Sequence, residues 1–223
     1  MPGMRLRAIA VHALLLASGL APLVAAEGAL AELRSLAAHH RAAVTLTGTF
    51  TWRVRPILGE DAAPRPARAG SFAIRAPGSY SITIREPGPG GSVDRWLSDG
   101  RNRWEVSQLS PEDPADVRGP FPCDAGDAEY RRVVACLRLD LDVLAEDHIF
   151  SIAPLGEGTV LALRPRNPDA TSKGPQVVAI TIALDKAGSP AAIDLDHSDG
   201  SRWAVVVTSV QRDVPVAERM FQP

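Results

Sequence analysis

The side chains best suited to chemistry are five histidines and two cysteines. His39-His40 would have to serve a metal as a pair, and no third ligand lies nearby, whereas a metal site needs three or four. At the end of a helix, a cationic side chain has a simpler use in complementing the dipole. His148 follows Glu146-Asp147 at a helix-to-strand corner. His197 lies among Asp194, Asp196 and Asp199, a cluster that could hold a cation weakly or form the solvated face of a strand with Ile193 and Leu195 opposite. Cys123 and Cys136 lack C-x-x-C spacing and a neighbouring His, which disfavours a redox or metal role. H-E-x-x-H, G-x-S-x-G, P-loop and G-x-G-x-x-G signatures are all missing. Nothing assembles a nucleophile, a base and an orienter, so the sequence predicts no enzyme, no cofactor and no metal.

The start of the chain looks like a removable leader. Arg5 and Arg7 form a basic opening, Ala8 to Leu20 is an apolar run, and Val24-Ala25-Ala26 offers small residues to a signal peptidase. Gly19 and Pro22 break the run short of the roughly 20 apolar residues that a membrane span needs. Residues 1–26 are therefore expected to be a signal peptide and 27–223 one soluble domain; no Cys follows the cleavage site to carry a lipid anchor. Removing the leader takes two Arg and no acid from a chain whose net charge is −2, so the mature protein is more acidic. That argues against a nucleic-acid partner. With 45% hydrophobic and 22% charged residues the composition is globular. In an oxidising compartment, Cys123 and Cys136 are expected to form an intramolecular disulfide worth about 3 kcal/mol.

What must position these groups is mostly sheet. Leu30, Leu33, Leu36 and Ala37 recur at helical spacing between Gly28 and Arg41. From Val44 to Val54 the period falls to two: Leu46, Gly48, Phe50 and Trp52 share one face and a row of threonines the other. Pro56 to Arg68 reads as a connection, and strand signals resume at Phe72-Ile74 and Tyr80-Ile82-Ile84 around the Pro77-Gly78 turn. Val93–Leu97 and Trp104–Val106 flank Ser98-Asp99-Gly100-Arg101, a hairpin signal. Pro111 to Asp127 reads as a long irregular segment, and Ala128 to Leu144 as a helix containing Cys136. Further hairpins run through Phe150-Ile152, Val160–Leu163, Val178–Leu184, Ile193-Leu195 and Trp203-Val205-Val207. About nine antiparallel strands with helices at the start and middle predict a sheet curled around helices. Phe50, Trp52, Phe72, Ile74, Tyr80, Ile82, Ile84, Leu97 and Trp104 could share one apolar face; composition does not distinguish a core from a binding cavity.

The order of these motifs resembles the LolA family, the periplasmic carriers of outer-membrane lipoproteins. The likeness is carried by Gly70-Ser-Phe72-Ala-Ile74-Arg75-Ala-Pro77-Gly78, Tyr80 to Ile84, Glu86-Pro87 and Leu97-Ser98-Asp99-Gly100-Arg101-Asn-Arg-Trp104. Ile180-Thr-Ile182, Lys186-Ala-Gly188, Asp199-Gly200 and Phe221 extend it through most of the mature chain. The resemblance implies an α+β, mostly β domain: an incomplete antiparallel β-barrel with an apolar concave face closed by a lid of helices, here those from Gly28 and Ala128. It implies a periplasmic monomer that shields the acyl chains of a lipoprotein or another lipid-like amphiphile in the apolar cavity. Such a carrier would take its cargo from an inner-membrane donor complex to an outer-membrane acceptor. The alternative is a non-transporting periplasmic sensor that recognises an amphiphile or a protein partner. Two departures suggest a relative using the scaffold for another amphiphile. The family's Arg before the turn proline is Ala76 here, with Arg75 expected on the opposite strand face. The chain also ends at Phe221-Gln222-Pro223, where the carriers continue into a further strand.

Overall fold

The computed structural model of the protein describes residues 31, 33–35, 37–55, 66–76, 78–123, 128–155, 158–166 and 176–223. The expected leader, Leu30, Leu36, Pro77, the turn at Gly156-Glu157 and most of the connection after Pro56 lie outside the described residues. Helix α1 (Ala38–Ala42) leads into strands β1 (Thr45–Arg55), β2 (Arg68–Arg75), β3 (Ser79–Arg85), β4 (Val93–Asp99), β5 (Asn102–Gln108) and β6 (Asp116–Pro122). Helices α2 (Ala128–Arg138) and α3 (Leu141–Asp147) follow, and then β7 (His148–Leu155), β8 (Gly158–Pro165), β9 (Val177–Leu184), β10 (Pro190–His197) and β11 (Arg202–Arg212). A 3-10 helix, Glu218–Phe221, closes the order.

The eleven strands form one antiparallel sheet in the order β6-β5-β4-β3-β2-β1-β11-β10-β9-β8-β7. Its first and last strands, β6 and β7, are not paired, so the sheet is an open half-barrel, as the sequence predicts. Eleven strands replace the expected nine chiefly because β6 arises inside the segment read as irregular. Pro120 and Pro122 hide it, since proline in a strand normally argues against one; an edge tolerates it. Every strand-to-strand step joins sheet neighbours, except the passage from β6 to β7. That passage is α2 and α3, which carry the chain from one edge to the other across the concave side.

Register places a continuous apolar layer on that side. Leu46 opposes Ile74, Gly48 opposes Phe72 and Phe50 opposes Gly70. Beyond β11, Ile193, Ile182 and Leu161 continue the layer from strand to strand. Two glycines make room for two rings: a Cβ on Gly48 would lie 2.6 Å from the Phe72 ring, and one on Gly70 would lie 2.2 Å from the Phe50 ring. The reciprocal Gly–Phe pairs let large side chains lie flat across the curved sheet.

The helices fill the trough with Leu33 and Ala37 just before α1, Val133, Cys136 and Leu137 of α2, and Leu141 and Leu144 of α3, all buried in one cluster with the sheet. The α2–α3 corner is tight. The Asp140 amide donates to the Ala135 carbonyl and the Leu139 amide to the Cys136 carbonyl, leaving Leu139 at φ 52. That pairing is a Schellman-type stop, where glycine is usual. Leucine is retained because its side chain is fully buried. Asp140 then caps α3, accepting from the Val143 amide.

The convex face has its own cover. Arg75 lies there, as expected, and not under the helices. Its guanidinium donates to both carboxylate oxygens of Glu218 (2.6 and 2.9 Å) and stacks over Phe221 at 4.7 Å. The 3-10 helix packs on β3 and β4, and Phe221 is fully buried.

Two substitutions test these placements by denaturant unfolding. Leu139→Gly removes a backbone cost of about 1–2 kcal/mol but empties a buried site whose loss costs about 2–5 kcal/mol, so a net destabilisation is expected. A stabilised variant would mean that the buried leucine contributes little. Phe221→Ala should cost about 3–5 kcal/mol, and an effect below about 1 kcal/mol would remove the convex-face anchor.

Candidate functional site

The concave face and its helical cover form the candidate site. Of the nine apolar residues grouped by sequence, seven lie on this face: Phe50, Trp52, Phe72, Ile74, Ile82 and Ile84 are buried and Tyr80 is half-buried. Leu97 and Trp104 do not. Ile82 opposes Trp96 and Tyr80 opposes Ser98, so Leu97 and its partner Trp104 face the convex side. Both faces of β4 carry a large apolar residue, so alternation alone does not choose between them. The concave residues of β4 and β5 that sequence reasoning missed are Trp96, Ser98 and Arg103.

The face divides into two regions. At one end the aromatic rings cluster. Trp52 packs against Trp203 at 4.9 Å, Trp96 at 6.3 Å and Phe50 at 6.4 Å, and Phe50 stacks on Phe72. At the other end, between α2 and β2–β5, a cavity of about 440 Å³ remains open. Ile74 and Tyr80 form its floor and Val134, Ala135 and Val143 its roof, with arginines at positions 103, 131 and 138 on its lining. A helical repeat supplies one wall: Arg131, Val134, Ala135 and Arg138 stand at i, i+3, i+4 and i+7.

Polar groups tie the cover in place. Asp142 of α3 accepts from Arg34 and Arg41 at 2.8 Å each, linking it to the segment around α1; the Arg34 hydrogen bond most lowers its pKa. His40 is buried, and its Nε2 lies 2.6 Å from the Leu137 carbonyl. A carbonyl only accepts, so Nε2 carries the proton. Nδ1 is buried with no hydrogen-bond partner among the described residues. Burial lowers the His40 pKa, partly opposed by the Leu137 hydrogen bond. His148, buried between α3 and β7, holds Nδ1 at 3.1 Å from the Leu144 carbonyl, and burial lowers its pKa too.

The remaining chemical candidates resolve differently from expectation. The Cys123–Cys136 disulfide is not formed: both cysteines are free. Cys136 is fully buried in α2, where desolvation pushes its thiol up to about 12. Cys123 lies in the cavity lining, its Sγ 3.3 Å from Ser98 Oγ. The pairing is expected from two cysteines in an oxidising compartment, which does not tell which side of α2 Cys136 occupies. His197 is not on a solvated strand face. It is buried on the concave side against Trp203 at 4.9 Å, while Asp194 and Asp196 alternate to the other face and Asp196 pairs with Arg202. No group of three His, Cys, Asp or Glu suited to a metal occurs among the described residues. Among them, too, no helix is long and apolar enough to cross a membrane.

No protein-family model matches the sequence, and no curated protein is similar to it. Solved structures are similar in architecture. A DUF1329 family protein from Desulfovibrio piger aligns over 87% of this chain and 96% of that one, at 10% identity and TM-score 0.44. A LolA superfamily protein from Nitrosomonas europaea aligns over 86% and 97%, at 10% identity and TM-score 0.41. The MucA/MucB complex of Pseudomonas aeruginosa contributes a chain aligned over 88% of this one and 61% of that one, at 18% identity and TM-score 0.38. The likeness is one of strand-and-helix architecture and extends no further.

The histidines make the cover sensitive to acid. A lowered folded pKa means that the native state binds fewer protons than the unfolded state just below pH 6.5. Their contribution is complete above that pH and is lost as pH falls through the lowered value. Acidification from about pH 8 to about pH 5 should therefore lower the amide protection factors, corrected for intrinsic exchange, in α1–α3 before those of the sheet. His40→Gln, which keeps a donor and cannot titrate, should weaken the effect. An unchanged pH profile in this variant would place the sensitivity elsewhere.

Proposed function

We propose that the protein is a periplasmic carrier that shelters the apolar part of a lipoprotein or another lipid-like amphiphile between its helices and its concave sheet face, for transfer towards the outer membrane. The observation that carries this reading is the cavity of about 440 Å³ under α2, floored and roofed by apolar side chains beside a packed core cluster. Each methylene removed from water is worth about 0.8 kcal/mol, so an acyl chain gains strongly by entering. A half-barrel can enlarge this space, since α2 and α3 are held to the sheet by apolar packing and not by strand pairing. With the helices in place, the volume lies near the low end of the ~300–1,000 Å³ of small-molecule sites. It suits one chain better than several side by side. A multi-acyl cargo would require the helices to move outward, in the direction that opens the trough. No catalytic step belongs to this reading, and handover would need a donor at the inner membrane and an acceptor at the outer.

Fluorescence tests the assignment directly. Trp96 stands two residues from Ser98 on the concave face of β4, and Ser98 lines the cavity, whereas Trp104 faces the other side. In single-Trp variants, a brominated fatty acid should quench Trp96 saturably and Trp104 much less. Equal or absent quenching would remove the cavity assignment. Native mass spectrometry of protein purified from periplasm should show bound acylated molecules; a co-purifying protein on an empty cavity would favour the sensor alternative.

A further inference from the structure

The two borders of the sheet are not alike. At β6, prolines at 120 and 122 remove backbone donors from the edge. β7 has no Asp, Glu, Lys or Arg from His148 to Leu155 and no proline before Pro154. Strand pairing fixes which way its backbone points. Leu155 and Gly158 pair across a two-residue connection, so they exchange hydrogen bonds, and alternation turns the backbone groups of Ala153, Ser151 and Ile149 towards β8 as well. The Arg166 amide, donating to the Asp147 carbonyl, continues the same series. The amides and carbonyls of Ile152 and Phe150 therefore point away from the sheet, and among the described residues nothing pairs with them. Pro154 falls on this outward side, where its missing amide costs no ladder bond. The same two residues end the concave apolar layer. Phe150 opposes Leu163 and Ile152 opposes Leu161, both fully buried, whereas Phe150 and Ile152 are only half-buried against the core.

We propose that β7 is a docking edge for a second copy of this chain, which adds its own β7 antiparallel about a two-fold axis through Ser151. This goes beyond the amphiphile reading, does not rest on it, and departs from the monomer that the family resemblance implies. In this register Phe150 faces Ile152 of the other copy, so the outward amides and carbonyls of each satisfy those of the other. Ile149 faces Ala153, Ser151 faces Ser151, and no two like charges are opposed. The edge is thus complementary to itself in hydrogen bonding, apolarity and charge. Closure at two copies follows from the other border. Because the prolines of β6 make it a poor acceptor, the edge left for β7 to meet is another β7, and such an isologous contact does not propagate. Phe150 and Ile152 then join the apolar layers of the two concave faces into one. A contact of this length is smaller than the roughly 1,200 Å² of a standard interface, so the dimer is weak, with a Kd on the order of micromolar.

The test is sedimentation velocity of the full mature chain from about 1 to about 300 µM, with residue-resolved amide exchange at both extremes. The mass should rise to that of two copies and no further. The amides of Phe150 and Ile152 should gain protection with concentration, while those of Ile149, Ser151 and Ala153, already in the ladder, should not change. Ile152→Pro removes an outward donor and no ladder bond, and should weaken the dimer about tenfold or more. Ser151→Lys alters an exposed side chain and sets two lysines directly opposite each other, which should weaken it about fivefold. Mixing Ser151→Lys with Ser151→Glu should restore association, an outcome that a misfolded variant would not give. A single-copy mass at every concentration would overturn the proposal, and so would assembly beyond two. A dimer whose Phe150 and Ile152 amides exchange independently of concentration would place the contact elsewhere and overturn it too. A peptide of another protein found paired on β7, with the chain held monomeric, would replace the second copy by a different partner.

Discussion

An open sheet with one largely apolar face has to be covered, and everything else in this molecule follows from how that is done. Closure of the barrel would bury the face by strand pairing, but β6 and β7 stay apart at opposite ends of the sheet. The chain instead spends its single long crossing on α2 and α3, whose own apolar residues are buried on the same trough. A cover made of helices differs from one made of strands in how it can leave. Breaking a ladder exposes a row of backbone donors and acceptors, each costly to strand, while lifting a helix exposes only side chains and keeps its backbone bonds intact.

The two faces of the sheet are therefore stabilised by separate means. On the concave side the cover meets the sheet through apolar contact, and buried polar ties such as His40 to Leu137 join the helices to one another. On the convex side the C-terminal 3-10 helix is fastened by Arg75, Glu218 and Phe221. The one-residue offset between Arg75 and Ala76 decides this division of labour. An arginine at 76 would project under the helices, and the arginine at 75 projects to the other side and secures a different element. Removal of concave cover need not loosen the convex anchor.

Much of this was legible in the sequence, for a physical reason. Period-two alternation over Val44 to Val54 specifies both a strand and its buried face, and the structure puts Leu46, Phe50 and Trp52 there. Turn chemistry was equally readable: Asp99 accepts from the Arg101 and Asn102 amides beside Gly100 at φ 93, as the hairpin signal requires. The failures share a cause. Leu97 and Trp96 sit on a strand with large apolar residues on both faces, and Trp104 takes the face of its partner Leu97, so parity is fixed by register with β3, a long-range fact. The side of α2 on which Cys136 sits depends on which stripe of the helix meets the sheet. The arginine rim was invisible because Arg103 and Arg131–Arg138 come together only through the crossing.

The proline-bearing edge has a consequence for life in a crowded compartment. An openable apolar trough ending in a bare strand would invite a neighbouring chain to add itself as the next strand, the first step towards sheet-on-sheet polymers. Pro120 and Pro122 remove two amide donors from β6, the strand beside the cavity, and six of its seven residues, all but Phe121, are exposed. That border offers poor footing for backbone pairing. Exposure of the apolar face would then not by itself make the sheet a template.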